Sequence, residues 1–197
     1  MAAPLIDFGR ALQDPAIWWD ALTQAFAGLR LNGIQVLALA IDGTSGTILP
    51  VDAAGQPLGL ASMYNDVAEA EAVKAIAAVA SAETAALGGT SPLARAMMMD
   101  KSAPRILHQA DWLLGRLCGR FDVSDENNAL KSGYDPVTRE WPAWIAGTGF
   151  DAARFPTVVP AGTRVGTLTP EMAQHLGLPD GVAVVAGTTD GCAAFLA

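Results

Sequence analysis

Hydrophobic positions along the chain recur with two different periods, and the switches between them outline the elements. Asp14-Pro15 suits a helix start, and Ile17, Trp18, Ala21, Leu22, Ala25, Phe26 and Leu29 then fall at helical spacing until Asn32-Gly33. Ile34 to Ile41 is continuously apolar, which predicts a strand buried on both faces, running into the small-residue loop Asp42-Gly43-Thr44-Ser45-Gly46-Thr47. Ile48 to Val51, a turn at 52–55 and a return through Pro57-Leu58 predict a hairpin. Asp66 to Leu87 has a helical period closed by Gly88-Gly89, and Ser91-Pro92 opens a further helix through Met97-Met98-Met99. Ala103 to Leu117 reads as a helix with Ile106, Ala110, Leu113, Leu114 and Leu117 on one face, Gly115 as a close-packing position and Gly119 as its stop. Asp122 to Arg139 is polar and turn-rich.

The last third changes style. Thr157 to Thr163 and Val165 to Leu168 read as short extended pieces around a turn. Thr169-Pro170-Glu171 starts a helix that ends at Gly177, and Pro179-Asp180-Gly181 turns into a second buried strand, Val182 to Ala186, followed by Gly187-Thr188-Thr189-Asp190-Gly191. Strands alternating with helices and no dividing linker predict one α/β domain.

Composition narrows the classes. The 197 residues are 51% hydrophobic and 16% charged, which excludes disorder. No apolar run approaches the roughly 18 residues of a membrane span, and no secretory signal is visible. With 12 basic against 20 acidic residues the net charge is −8, and no basic stripe offers itself to nucleic acid. Cys118 and Cys192 lack metal-ligand spacing and read as buried reduced thiols of a cytoplasmic protein.

Candidate chemistry lies in the two loops that follow the two apolar strands. Each consists of Gly, Thr or Ser with a carboxylate, Asp42 in one and Asp190 in the other. Ligands of α/β sheets gather outside the carboxyl ends of strands, although tight turns also demand glycine. The loop GTSGT misses the nucleophile-elbow pattern GxSxG, and no phosphate-binding GxxxxGK[ST] or GxGxxG is present. His108 and His175 fall on predicted helices, with no fixed relation to Ser45.

Four stretches carry a resemblance to the first domain of the FGGY carbohydrate kinases, in particular the D-ribulokinase and xylulokinase branch: DPAIWWDAL, LALAIDGTSGTILPVDAAGQPLGLASMYND, ILHQADWLLGRLCGRFDVSDENNALKSGYDPVTREWPAW, and VVPAGTRVGTLTPEMAQHLGLPDGVAVVAGTTDGCAAFLA. The resemblance implies a ribonuclease H-like fold of the actin-like ATPase superfamily. It implies Asp190 as the general base that takes a proton from a sugar hydroxyl, and Thr44 and Ser45 as sugar-contacting positions. Asn127, Asn128 and Lys131 would line the sugar pocket; Lys131, one of three lysines, reads otherwise as a solvated surface residue. ATP and Mg2+ are implied as cofactors and a ketopentose or polyol as the small-molecule partner, with Thr188 and Thr189 the available nucleotide-side positions.

Two features of the family pattern are expected to be missing from 1–197: the initial Asp-x-Gly-Thr hairpin, since Met1 to Arg10 lies beside the first helix, and the second ATPase domain. The domain is therefore expected to be incomplete at its N-terminus. Surface that would pack against those parts is expected to be apolar and to favour homodimers. Two functions follow: part of a ketopentose kinase, or a non-catalytic sugar- or partner-binding remnant of one.

Overall fold

Alternation along two central strands sorts the interior into two halves. All four residues of one of them, Ile48–Val51, are buried. Leu49 and Val51 enter one apolar cluster with Trp18, Trp112, Leu117 and Val184, while Ile48 enters another with Ile76, Leu93, Ile145 and Phe155. The neighbouring strand repeats the division, with Leu107 in the first cluster and Ile106 in the second. A period of two is what a sheet with a core on each face requires.

The structure, a computed structural model, describes residues 3–7 and 9–197. The elements are β1 (Leu5–Asp7), β2 (Arg10–Gln13), α1 (Ala16–Ala27), β3 (Ala38–Ala40), β4 (Ile48–Val51), β5 (Ala61–Ser62), α2 (Ala70–Ala77), α3 (Pro92–Met97), β6 (Arg105–His108) and α4 (Gln109–Cys118). They continue with β7 (Val123–Asp125), α5 (Glu126–Leu130), β8 (Thr157–Val159), β9 (Arg164–Thr167), α6 (Pro170–Leu176), β10 (Ala183–Val185) and α7 (Asp190–Leu196). The central sheet has the order β1-β2-β5-β4-β6 and is antiparallel throughout. A second sheet has the order β3-β10-β9, with β3 and β10 parallel, and β7 pairs with β8.

Several expectations hold. Ser91 caps α3 by accepting from the Ala94 N–H, Thr169 caps α6 through Met172, and Gly119 and Gly177 end their helices with positive φ. Gly115 is a close-packing position, because a Cβ there would overlap the Phe121 ring. Near the start of the chain, Asp14 Oδ1 accepts from the Ala16 N–H at 2.9 Å, and α1 lays Trp18 edge-on to Trp112 of α4 with ring centroids 6.0 Å apart.

Others are corrected. No strand was expected before the first helix, yet β1 and β2 form an antiparallel pair at the edge of the central sheet. The strand predicted over 34–41 shrinks to β3 and is not buried on both faces; Ile34 and Leu37 are exposed, because β3 has only β10 beside it among the described residues. The long helix over 66–87 reduces to α2, since Asp66 is held in an ion pair and residues 79–90 turn repeatedly. The first part of the helix predicted over 103–117 is strand β6, paired with β4, and only from Gln109 onward is it helix α4, so His108 ends a strand instead of lying on a helix. The polar stretch 122–139 contains β7 and α5. Both cysteines are free but only half-buried.

Where β3 and β10 end, the backbones leave no room for a side chain. A Cβ on Gly187 would overlap the carbonyl oxygen of Ile41. Gly187→Ala is therefore expected to part the two strand ends and cost about 1–3 kcal/mol, the usual range for overpacking. Urea unfolding of the chain measures this; an unchanged midpoint would show that the ends are not in contact in solution.

Candidate functional site

The two small-residue loops meet. Gly43 forms a parallel bridge with Thr189, its N–H donates to the Thr188 carbonyl at 3.2 Å, and its own carbonyl accepts from the Asp190 N–H at 2.9 Å. Behind this crossing lies the first turn of α4, so close that a Cβ on Gly43 would stand 2.8 Å from the Ala110 nitrogen. Only glycine allows the three backbones to converge there.

Convergence places Asp190 over the loop 42–47. Its Oδ1 accepts from the Gly191 N–H at 2.8 Å and from the Ser45 N–H at 3.4 Å. Its Oδ2 makes no hydrogen bond among the described residues and is left with its lone pairs available. The residue is exposed and begins α7, whose cap is the Thr189 hydroxyl accepting from the Cys192 N–H. Asp190 opens onto a cleft of about 780 Å³, lined among others by Trp18, Asp42, Thr44, Tyr64, Asn65 and Gln109.

The loop is also gripped from below. Arg95, fully buried on α3, donates through Nη2 to the Gly46 and Thr90 carbonyls, and through Nη1 to the Ser62 carbonyl and hydroxyl and the Met63 carbonyl. Burial lowers its pKa to about 10, against the attraction of Asp66 that holds the charge. Asp66 is buried as well, and accepts from Arg10 Nη2 at 2.7 Å, from the Ser62 hydroxyl at 2.6 Å and from the Ala11 N–H at 3.0 Å. Desolvation alone would raise its pKa, but these three donors outweigh it and keep the carboxyl below its ordinary value. On the opposite side, Gln109 Oε1 accepts from the Thr44 N–H at 2.8 Å, and the Thr47 carbonyl accepts from the Gln109 N–H.

The residues singled out from sequence divide into two groups. Thr44 and Asp190 line the cleft, with Ser45 bonded to Asp190 through its backbone. Lys131 is exposed at the end of α5, and its Cδ would lie 3.7 Å from a Cβ on Gly46, so it flanks the loop. Asn127 and Asn128 do not line the cleft. Asn127 donates to the Thr188 hydroxyl at 2.8 Å; Asn128 donates to Asp125 at 2.6 Å and to the Thr188 carbonyl at 3.2 Å. Both tie α5 to the segment that carries Asp190. Asp125 is itself pushed up in pKa, first by burial and then by the nearby Asp111, with the Asn128 bonds opposing. His108 is equally interior, its Nδ1 2.7 Å from Asp111 and its Nε2 2.9 Å from the Ser132 hydroxyl, while His175 stacks on Trp19. Sequence reasoning missed Arg95 and Gln109. A lone arginine among Pro92, Leu93, Ala94 and Ala96 was a signal for the first; Gln109 carried none.

Comparison with known proteins gives this geometry a context. Residues 93–197 match the N-terminal domain described for the FGGY family of carbohydrate kinases. The chain belongs to that family. Among FGGY relatives, a ribulokinase from Halalkalibacterium halodurans is 27% identical, the match covering 93% of this chain and 39% of that protein. A xylulose kinase from Streptomyces coelicolor is 30% identical, covering 93% and 41%. The chain thus spans about two-fifths of the length of the curated relatives it matches. The crystal structure of a xylulose kinase from Rhodospirillum rubrum superposes over 100% of this chain and 45% of its own, with a TM-score of 0.84 at 23% identity. The fold is the α/β, ribonuclease H-like one of these FGGY kinases.

The fit of a nucleotide and a metal can be tested on the residues present. Among the described residues no lysine or arginine lines the cleft. Thr188 and Thr189 spend their hydroxyls on Asn127 and on the cap of α7. Among the described residues no group of three or more His, Cys, Asp or Glu could hold a metal ion. These residues do not make a site for Mg-ATP.

The network under the loop predicts a pH signature. A depressed carboxylate contributes stability that is complete above its unfolded value of about 3.9 and is lost as pH falls through the folded value. Asp66→Asn is expected to cost about 1–3 kcal/mol at neutral pH, because buried donors lose a charged acceptor. The gap between variant and parent should narrow below pH ~4. Urea midpoints at the two pH values check this, and a gap independent of pH would refute the ionised pair.

Proposed function

We propose that residues 1–197 form the N-terminal, sugar-binding domain of an enzyme that phosphorylates a ketopentose such as D-ribulose or D-xylulose, with Asp190 as general base. The observation that carries the reading is the Asp190 carboxylate at the cleft: two backbone N–H groups hold Oδ1, and Oδ2 remains to accept a proton. The relatives' names, ribulokinase and xylulose kinase, supply the substrate class.

The chemistry asked of this chain is modest. Phosphoryl transfer depends on positioning and charge stabilisation, and the acceptor hydroxyl needs a carboxylate to orient it and take its proton. Asp190 does this from the rim of the cleft, among glycines and threonines that leave the hydroxyl a clear approach. Thr44, Ser45 and Lys131 border the same loop and are assigned to the sugar. Asn127 and Asn128 are assigned to holding Thr188, and through it the base. The phosphoryl donor assigned to such an enzyme is Mg-ATP, for which the described residues offer no site.

In an enzyme containing this domain, Asp190→Asn is expected to lower turnover by roughly 10²–10⁴-fold or more while sugar affinity changes only a few-fold. Steady-state kinetics with sugar titration tests this, and near-normal turnover would refute the assignment. Calorimetry on the chain separates the readings further. Heat with D-ribulose or D-xylulose but none with ATP fits a sugar-binding part, tight ATP binding contradicts the account of the cleft, and sugar binding without turnover in any longer form would favour a non-catalytic remnant.

A further inference from the structure

Beneath the segment that carries Asp190 lies an amide whose orientation is dictated by its neighbours. Asn128 is fully buried, and its Nδ2 donates to Asp125 Oδ2 at 2.6 Å and to the Thr188 carbonyl at 3.2 Å. While Asp125 is ionised both partners only accept, so the amide nitrogen and not the oxygen must face them. The cost of this arrangement appears on the other side of the amide, where Oδ1 is buried with no hydrogen-bond partner among the described residues.

Of the two acceptors, only Asp125 can change its character. Its Oδ1 accepts from the Asn127 and Asn128 N–H groups at 2.9 and 3.0 Å and so caps α5, which leaves Oδ2 as the oxygen that can take a proton. A protonated Oδ2 is a donor and suits Asn128 Oδ1 instead of Nδ2. A half-turn about χ2, a torsion with two broad wells, exchanges the two amide atoms. The turned amide presents an oxygen to the Thr188 carbonyl, and that contact is lost. The same carbonyl accepts from the Gly43 N–H, and the Gly43 carbonyl accepts from the Asp190 N–H, so the loss falls on the junction that aims Asp190.

We propose that Asp125 is a positioning residue for Asp190: ionised, it holds the Asn128 amide to the Thr188 carbonyl, and protonated, it lets the amide turn over and loosens the segment that carries the base. The inference rests on the reading of Asp190 as general base and adds a control of its alignment by pH. The surroundings of Asp125 favour its neutral form, since burial and then Asp111 push the carboxyl up against the opposing Asn128 bonds and His108. The ionisable groups that face it are Asp111 of α4 and His108 at the end of β6. Its own helix adds Glu126, whereas β8 sets Val159 opposite it and Thr188 brings no charge. A cavity of about 10 Å³, lined among others by Asp111, Ser124, Asp125 and Gly187, leaves room for about one water beside the two carboxyls.

Amide hydrogen exchange of the full chain, read residue by residue by NMR, tests this without any substrate. Between pH ~7 and pH ~4.5 the protection of the Gly43 and Asp190 N–H groups is expected to fall by about tenfold, the usual effect of losing one net hydrogen bond, while amides in the middle of α4 keep theirs. The midpoint should coincide with the titration of the Asp125 carboxyl carbon. Asp125→Asn keeps an oxygen to cap α5 and puts an NH2 group where Oδ2 stood, so the released state should persist at every pH, with low protection of both amides and no titration. Asn128→Ala is expected to give the same flat profile with Asp125 intact. Constant protection in the parent chain would overturn the proposal, whether or not either variant folds. A parent-like pH dependence in Asp125→Asn would also overturn it, by assigning the titration to another group such as Asp111, His108 or Asp190. Failure of the kinase reading shows elsewhere, as near-normal turnover in Asp190→Asn, and leaves the exchange result in place.

Discussion

Everything in the candidate site depends on a meeting of main chains at Gly43. Three segments distant in sequence, the loop after β3, the segment before α7 and the start of α4, come within van der Waals distance there. Their contact is made by N–H and carbonyl groups, with no side chain between them. Such a junction is stiff, since backbone bonds on both sides fix its register, and it is intolerant, since the smallest added group has nowhere to go. The Thr188 carbonyl shows how tightly it is shared, accepting from both the Gly43 N–H and the Asn128 side chain.

Around the junction, charge is buried only where it is answered. Arg95 donates from its two terminal nitrogens to four carbonyls and a hydroxyl, leaving only Nε without a partner, and Asp66 collects donors from β2 and β5. Removing one partner from such a set costs more than the set contributes, because the remaining charge stays out of water. The arrangement therefore locks the loop 42–47 to the central sheet through Gly46. Among the described residues the cleft above it is lined by two carboxylates, three amides and several apolar side chains, without lysine or arginine, a character suited to a neutral polar ligand rather than to a triphosphate.

How much of this was legible beforehand follows from the range of each interaction. Caps and stops are local, and Ser91-Pro92, Thr169-Pro170 and Gly119 could be read from adjacent residues. β6 could not be separated from α4, because Ile106 and Leu107 are both buried and a doubly covered strand has no period to distinguish it from a helix. Asp66 looked like the start of a helix because its real partner, Arg10, lies 56 residues away. The pair of small-residue loops was visible in composition, and the resemblance singled out Asp190. The roles of Asn127 and Asn128 as braces, and of Gln109 as the acceptor that anchors Thr44, exist only in three dimensions, since each depends on which neighbour meets which atom.

One helix has a mechanical meaning beyond its sequence. α7 buries none of its side chains, and Phe195 and Leu196 at its far end are 90% and 80% exposed. Its near end, by contrast, is pinned through the Thr189 cap and the Asp190–Gly43 bond. It is a lever with a fixed fulcrum and a free apolar arm. Whatever grips Phe195 and Leu196 would act on the aim of the Asp190 carboxylate less than two turns away, so that contact made outside the cleft would be felt as alignment within it.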